Sequence, residues 1–221
     1  MKIRSSAPAP SPQAGTRRER AREHARRDIL LAAAEVFARR GYASATLQEL
    51  AEAAGFAAPS LYRYFQSKEE IFRSLVELLV EDFGATFEQP VDLEAPLAQR
   101  LATLFHEQAR LARQEHHRHM IALLRLPDAA AALAAAKREL GVRHAGLAFY
   151  EARAAVWLER NVRPDDLRVP RAMAARALAG LAFAFMGCPE DPDTSDTERT
   201  RTLIDLVLNG IAAPVPGRSG A

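Results

Sequence analysis

The feature that most restricts this chain is a helix-start signal written three times. A Ser or Thr is followed three residues later by Glu at Thr46–Glu49, Ser67–Glu70 and Ser195–Glu198. Each has the form of a capping box, in which the hydroxyl accepts the backbone N–H three residues on and the Glu reaches back to the cap. Apolar residues at helical spacing follow each box: Leu47, Leu50, Ala51 and Ala54 after the first, Ile71, Leu75, Leu78 and Leu79 after the second. Ile29, Ala33, Val36 and Phe37 fall at i, i+4, i+7 and i+8, and Gly41 after Arg39 and Arg40 is a helix stop. They predict a first helix over about 24–40. Gly55 ends the second helix, and Pro59 sits where a third helix tolerates a missing N–H. Further helices are expected at about 93–113, 115–138, 140–161, 169–187 and 195–211, punctuated by Pro96, Pro127, Pro164, Pro170 and Pro189. No period-2 run is long enough for a strand. The expected fold is all-α, and its two short helices around Gly55, after a longer one, spell a helix-turn-helix.

Charge is unevenly distributed. Residues 1–27 hold eight Lys and Arg against Glu19 and Glu23, while the whole chain is only +2, so the rest is mildly acidic. Residues 1–16 are rich in Pro, Ser and Ala and cannot build a core. The expected division is a disordered basic arm over 1–23, a helix-turn-helix domain over 24–68, a helical effector-binding and dimerisation domain over 69–213, and a disordered tail over 214–221. A basic arm on an acidic body suits a polyanionic partner, or a solvated tail. The single cysteine, Cys188, excludes an internal disulfide framework and any Cys-based zinc site. The longest uncharged apolar stretch, Ala177–Pro189, falls short of the ~20 residues that span a bilayer. No apolar signal region is visible. A cytoplasmic protein with no membrane partner is expected.

The stretch TLQELAEAAGFAAPSLYRYFQSKEEIF, residues 46–72, resembles the N-terminal DNA-binding domain of the TetR family of transcriptional regulators. The resemblance rests on Thr46, Leu50-Ala51, Ala54-Gly55, Leu61-Tyr62, Phe65 and Ser67-Lys68-Glu69, with Ala33, Phe37 and Gly41-Tyr42 in the first helix. It covers about 27–72; the later helices match the family only in number, length and placement.

A helix of about seven residues can enter a major groove and read bases from its N-terminal turn. Here that turn is Ala57-Ala58-Pro59-Ser60. Ala58 and Pro59 offer apolar surface to a thymine methyl, Ser60 suits a base edge or a phosphate, and Arg63 suits bidentate guanine contact. The resemblance implies phosphate contacts for Tyr62, Tyr64 and Lys68, and a cap at Thr46 facing a phosphate. Arg26 and Arg27 extend the expected contact set into the arm. Many family members carry Ser or Thr at Ala57 and Lys or Arg at Ala58, so this recognition helix lacks a side-chain cap and some polar readout. Leu50, Leu61 and Phe65 are expected in the core.

His106, Glu115, His116, His117 and His119 invite a metal reading, with His116 and His119 on one helix face. No third group converges from elsewhere in the sequence, and Arg113 and Arg118 disfavour a cation, so no metal is expected. No G-x-G-x-x-G, Walker loop, G-x-S-x-G or H-E-x-x-H occurs, which leaves catalysis and cofactors without a foothold. Cys188 reads as a small core residue. Leu178, Leu181 and Phe185 on one late helix, with Leu203 and Val207 on the other, lie in wide apolar arcs. Two such helices per subunit make a four-helix dimer interface, as the family's last two helices do.

Phe105, Met120, Phe149 and Trp157 are candidate walls of an effector pocket. The expected function is a homodimeric repressor on a roughly palindromic double-stranded DNA operator, released by a small apolar or amphipathic effector. Two alternatives stand: a ligand-independent regulator or activator, and a helical enzyme or interaction domain with a vestigial helix-turn-helix.

Overall fold

The computed structural model describes residues 12–140, 147–187 and 196–210. Its helices are α1 (Pro12–Arg40), α2 (Leu47–Ala53), α3 (Ala58–Leu61), α4 (Lys68–Ala85), α5 (Leu97–Ala112), α6 (Glu115–Leu123), α7 (Ala130–Leu140), α8 (Leu147–Asn161), α9 (Arg171–Gly187) and α10 (Asp196–Gly210). Short 3₁₀ turns lie at Thr86–Glu88, Pro127–Ala129 and Pro164–Asp166. No strand occurs among the described residues, so the all-α expectation holds. No single described helix is long and apolar enough to cross a membrane.

Several boundaries differ from those expected. The arm 1–23 is helical from Pro12 onward, where a proline fits the first turn and the Ala, Arg and Glu that follow are good helix formers. Residues 1–11 and the tail 214–221 lie outside the described residues. The single helix expected over 115–138 is two, because the residue before a proline disfavours helical torsions: Leu126, ahead of Pro127, is extended at φ −66°, ψ 128°. Pro96 likewise delays α5 to Leu97. The helix expected from 140 is described from Leu147. The box at Ser195–Glu198 begins, like Cys188, outside the described residues.

α4 joins the two halves of the molecule. Ile71, Phe72, Leu75, Val76, Leu78, Leu79, Val80 and Phe83 are all buried along it, an arc too wide to face one neighbour only. At its start Phe72 meets Phe37 of α1 and Tyr42, with ring centroids 6.5 and 5.0 Å apart. At its end Gly84 lies under α8: a Cβ there would stand 2.6 Å from the Phe149 ring. Between these ends α1 packs along α6, and beyond them α8 and α9 form a close pair. The basic N-terminal unit is therefore held to the body through both α1 and α4.

Candidate nucleic-acid interface

The helix-turn-helix is built from bonds between near neighbours. Thr46, extended at φ −109°, ψ 152°, accepts the Glu49 N–H on its hydroxyl at 3.2 Å, and its own N–H donates to the Glu49 carboxylate at 3.0 Å. The expected capping box is complete. These bonds, the Thr46 backbone bond first, hold the Glu49 carboxyl below its ordinary range. α2 ends in the Schellman pattern: Gly55 takes φ +74°, its N–H donates to Glu52 O at 3.0 Å, and Phe56 N–H donates to Ala51 O at 2.8 Å. Glycine is required there because the positive φ costs any residue with a Cβ.

α3 is shorter than the seven residues expected. Ala57 provides no side-chain cap, as its methyl dictates, and the last turn tightens through Tyr64 N–H to Leu61 O at 2.8 Å. Leu61 and Phe65 are fully buried and anchor the element, as expected of core residues. Outward stand Ala57, Pro59, Tyr62 and Arg63; Ala58, Ser60 and Tyr64 are half-buried. Tyr62 is 49% exposed, an unusual position for a large ring. The Arg63 guanidinium lies 5.8 Å from the Tyr64 ring centre, and the Phe56 ring meets Tyr64 from the other side of the turn at 5.7 Å.

At the second box the Ser67 hydroxyl accepts the Glu70 N–H at 3.1 Å. The Glu70 carboxylate, however, accepts from Gln66 N–H at 2.7 Å, one residue earlier than the reciprocal box requires.

Three cations expected at the DNA are engaged within the chain. Arg26 donates to Tyr64 O at 2.7 Å and to the Ser74 hydroxyl at 2.9 Å, with its guanidinium 4.1 Å from the Phe65 ring centre. Lys68 donates to Tyr42 O, Ala43 O and Ala45 O at 2.9, 3.0 and 3.1 Å, which uses all three ammonium hydrogens. Arg27 donates to Asp82 at 3.1 Å. Tyr42, beneath Lys68, has its hydroxyl pushed up to about 12 by burial and then by Glu69. No local pattern marks these ties, since each joins residues more than twenty positions apart. Arg17, Arg18, Arg20 and Arg22 stand exposed on the N-terminal half of α1, which runs roughly 21 Å from Pro12 to Arg26.

The residues assigned to a pocket and a dimer face are placed as follows. Phe105, Met120, Phe149 and Trp157 are all buried in the core. A groove of about 280 Å³ between α4 and α7, lined by Glu70, Arg73 and Glu139, and one of about 210 Å³ lined by Arg27, Asp82 and His117 do not include them. Leu178 and Val207 lie in the chain's own core and Leu181 is half-buried against it; the side chains of Phe185 and Leu203 lie outside the described residues. Val156, Met173 and Leu206 are the large apolar side chains exposed on the described parts of α8, α9 and α10. Of the histidines, the structure brings together His116 and His117, rings 4.2 Å apart, with Asp82, which no sequence motif singles out.

The model for bacterial regulatory proteins of the tetR family matches residues 29–75, the segment just described. The HTH-type transcriptional activator FasR of Mycolicibacterium smegmatis is 35% identical over 80 residues, 36% of either chain. The HTH-type transcriptional repressor KstR2 of Mycobacterium tuberculosis is 34% identical over 98 residues, 44% of this chain and 48% of that one. The matches thus span less than half the length of these curated relatives. The crystal structure of a TetR family transcriptional regulator, PfmR from Thermus thermophilus, superposes with a TM-score of 0.59 at 26% identity, covering 82% of this chain and 97% of that one.

Proposed function

We propose that the chain is a regulator of the TetR family, which it resembles in its helix-turn-helix segment and its fold, and that it binds an operator on double-stranded DNA as a homodimer and regulates transcription. One observation carries the reading: a short helix, anchored by Leu61 and Phe65, turns Tyr62 and Arg63 outward next to Tyr64, whose carbonyl Arg26 ties to α1, the helix that carries the exposed arginines. The contact surface is Ala57, Ala58, Pro59, Ser60, Tyr62, Arg63 and Tyr64. Arg63 reads a base edge, and Tyr62 and Ser60 hold phosphates. Arg17, Arg18, Arg20 and Arg22 add backbone charge. Arg26 and Lys68 position this surface from beneath, and Thr46 sets the angle of α2.

Two copies place their α3 helices about one DNA turn or a small multiple apart. The exposed Val156, Met173 and Leu206 supply apolar area for the dimer contact. A small apolar or amphipathic effector in the helical body releases the operator through α4, which touches Tyr42 at one end and Phe149 at the other. Paired titrations check this coupling: effector must weaken DNA binding by the factor by which DNA weakens effector binding.

Fluorescence anisotropy on duplexes tiling the DNA upstream of the gene, at several salt concentrations, tests the reading. One tile bound far more tightly than its neighbours with a steep salt slope is expected. Arg63→Ala should cost about 1–3 kcal/mol and relax one base preference. Uniform weak binding, together with no enriched site in a genome-wide pull-down, overturns it.

A further inference from the structure

The junction of α1, α4 and α6 holds a group of side chains that DNA contact does not use. Asp82 comes from α4; His116 and His117 come from the first turn of α6. One ligand-type atom from each lies within 4.8 Å of the other two. His117 is 99% buried and its Nε2 meets Asp82 Oδ2 at 3.0 Å. Its Nδ1 and the Nε2 of His116 are both buried with no hydrogen-bond partner. An unmet buried polar atom is destabilising, so two in adjacent rings call for an explanation.

We propose that Asp82, His116 and His117 form a binding site for a divalent transition-metal ion of the zinc class. Two imidazoles and one carboxylate suit such an ion and leave coordination positions open. Ligands at about 2.0–2.1 Å from a tetrahedral ion stand about 3.4 Å apart, so on loading the Asp82–His117 pair, now at 3.0 Å, opens slightly and the widest pair closes by up to about 1.4 Å. The groove of about 210 Å³ reaches both Asp82 and His117, giving solvent, the ion and a fourth ligand a way in.

Arg27 is the built-in competitor. Its guanidinium takes the same Asp82 oxygen as His117, at 3.1 Å, and its side chain is 46% exposed, free to swing outward. A bound ion displaces it and cuts the Arg27–Asp82 tie between α1 and α4, leaving the Arg26–Ser74 bond in place. Any effect on operator binding rests on the reading proposed above; uptake of the ion does not.

The test is calorimetric titration of zinc into the tag-free, chelator-treated full-length protein, repeated with cobalt to follow its visible absorption. One ion per chain is expected. His116→Gln and Asp82→Asn should each weaken uptake by more than tenfold, and Arg27→Gln should tighten it, with thermal melts confirming that each variant folds. No uptake by the wild-type chain overturns the proposal. So does uptake unchanged in both His116→Gln and Asp82→Asn, which would put the ion elsewhere, or weaker uptake in Arg27→Gln, which would make the arginine a support rather than a competitor.

Discussion

In the α2–α3 unit the ordering bonds join near neighbours: Thr46 with Glu49, Phe56 with Ala51, Phe65 with Leu61. At the junction of α1, α4 and α6 they join distant ones: Arg26 with Ser74 at a separation of 48 residues, Arg27 with Asp82 at 55, and His117 with Asp82 at 35. The first region is specified by adjacent letters and needs the rest of the chain to bury its apolar face and to hold Tyr64 O through Arg26. The second exists only once three helices have met. A reader of sequence sees the first and is blind to the second, and a mutation should tell them apart by how far its effect travels.

Phe65→Ala tests the strongest link between the two regions. The ring closes the local turn, yet it is wholly buried and carries the Arg26 guanidinium on its face. Truncation leaves a cavity and should cost about 3–5 kcal/mol, read as a lower urea midpoint. A loss under about 2 kcal/mol would mean that the local turn holds itself without its core anchor.

Gly84→Ala probes the opposite end of α4, where only distant packing matters. In an exposed helix the change would favour the helix by up to about 1 kcal/mol. Here the new methyl meets the buried Phe149 ring, and overpacking should instead cost about 1–3 kcal/mol. A rise in thermal midpoint would show that α8 yields freely and that the α4–α8 contact is loose.

Arg26→Ala separates positioning from DNA contact. If the arginine acts through Tyr64 O and Ser74, the variant loses about 1–2 kcal/mol of stability, discounted for partial exposure, with operator affinity following the fold. An unchanged melt with sharply weaker DNA binding would return Arg26 to the contact set.

What was legible follows the same division. The capping box at Thr46, the stop at Gly55, the uncapped Ala57 and the core roles of Leu50, Leu61 and Phe65 all follow from rules that act within one or two turns. The helical stretch from Pro12 to Glu23 was also within reach of propensity, but its charge and the prolines ahead of it pointed to an arm. The ties of Arg26 and Lys68 were out of reach, because a cation at the edge of a DNA-binding unit looks the same whether it meets phosphate or a backbone carbonyl. Asp82 was unreadable as the partner of His117 for the same reason: nothing near it in sequence marks the α4–α6 crossing. The wide apolar arcs at Leu178 and Val207 predicted two buried faces without saying which neighbour covers each.

The smallest effect belongs to the most local device. Glu49 is half-buried, and its carboxyl is lowered by the Thr46 backbone bond first, then by the Thr46 hydroxyl; desolvation opposes this, and Arg40 and Arg39 add to the lowering. A carboxyl depressed in the folded state adds stability that is present above its ordinary value of 4.5 and is lost as pH falls through the depressed one. Glu49→Gln removes that titration while keeping the side chain's length. Thermal melts of the two proteins should therefore differ most near neutral pH and converge as acid is added below about 4.5. A gap that stays constant through that range would mean that the cap works by geometry alone, and that charge adds nothing to a helix start specified within four residues.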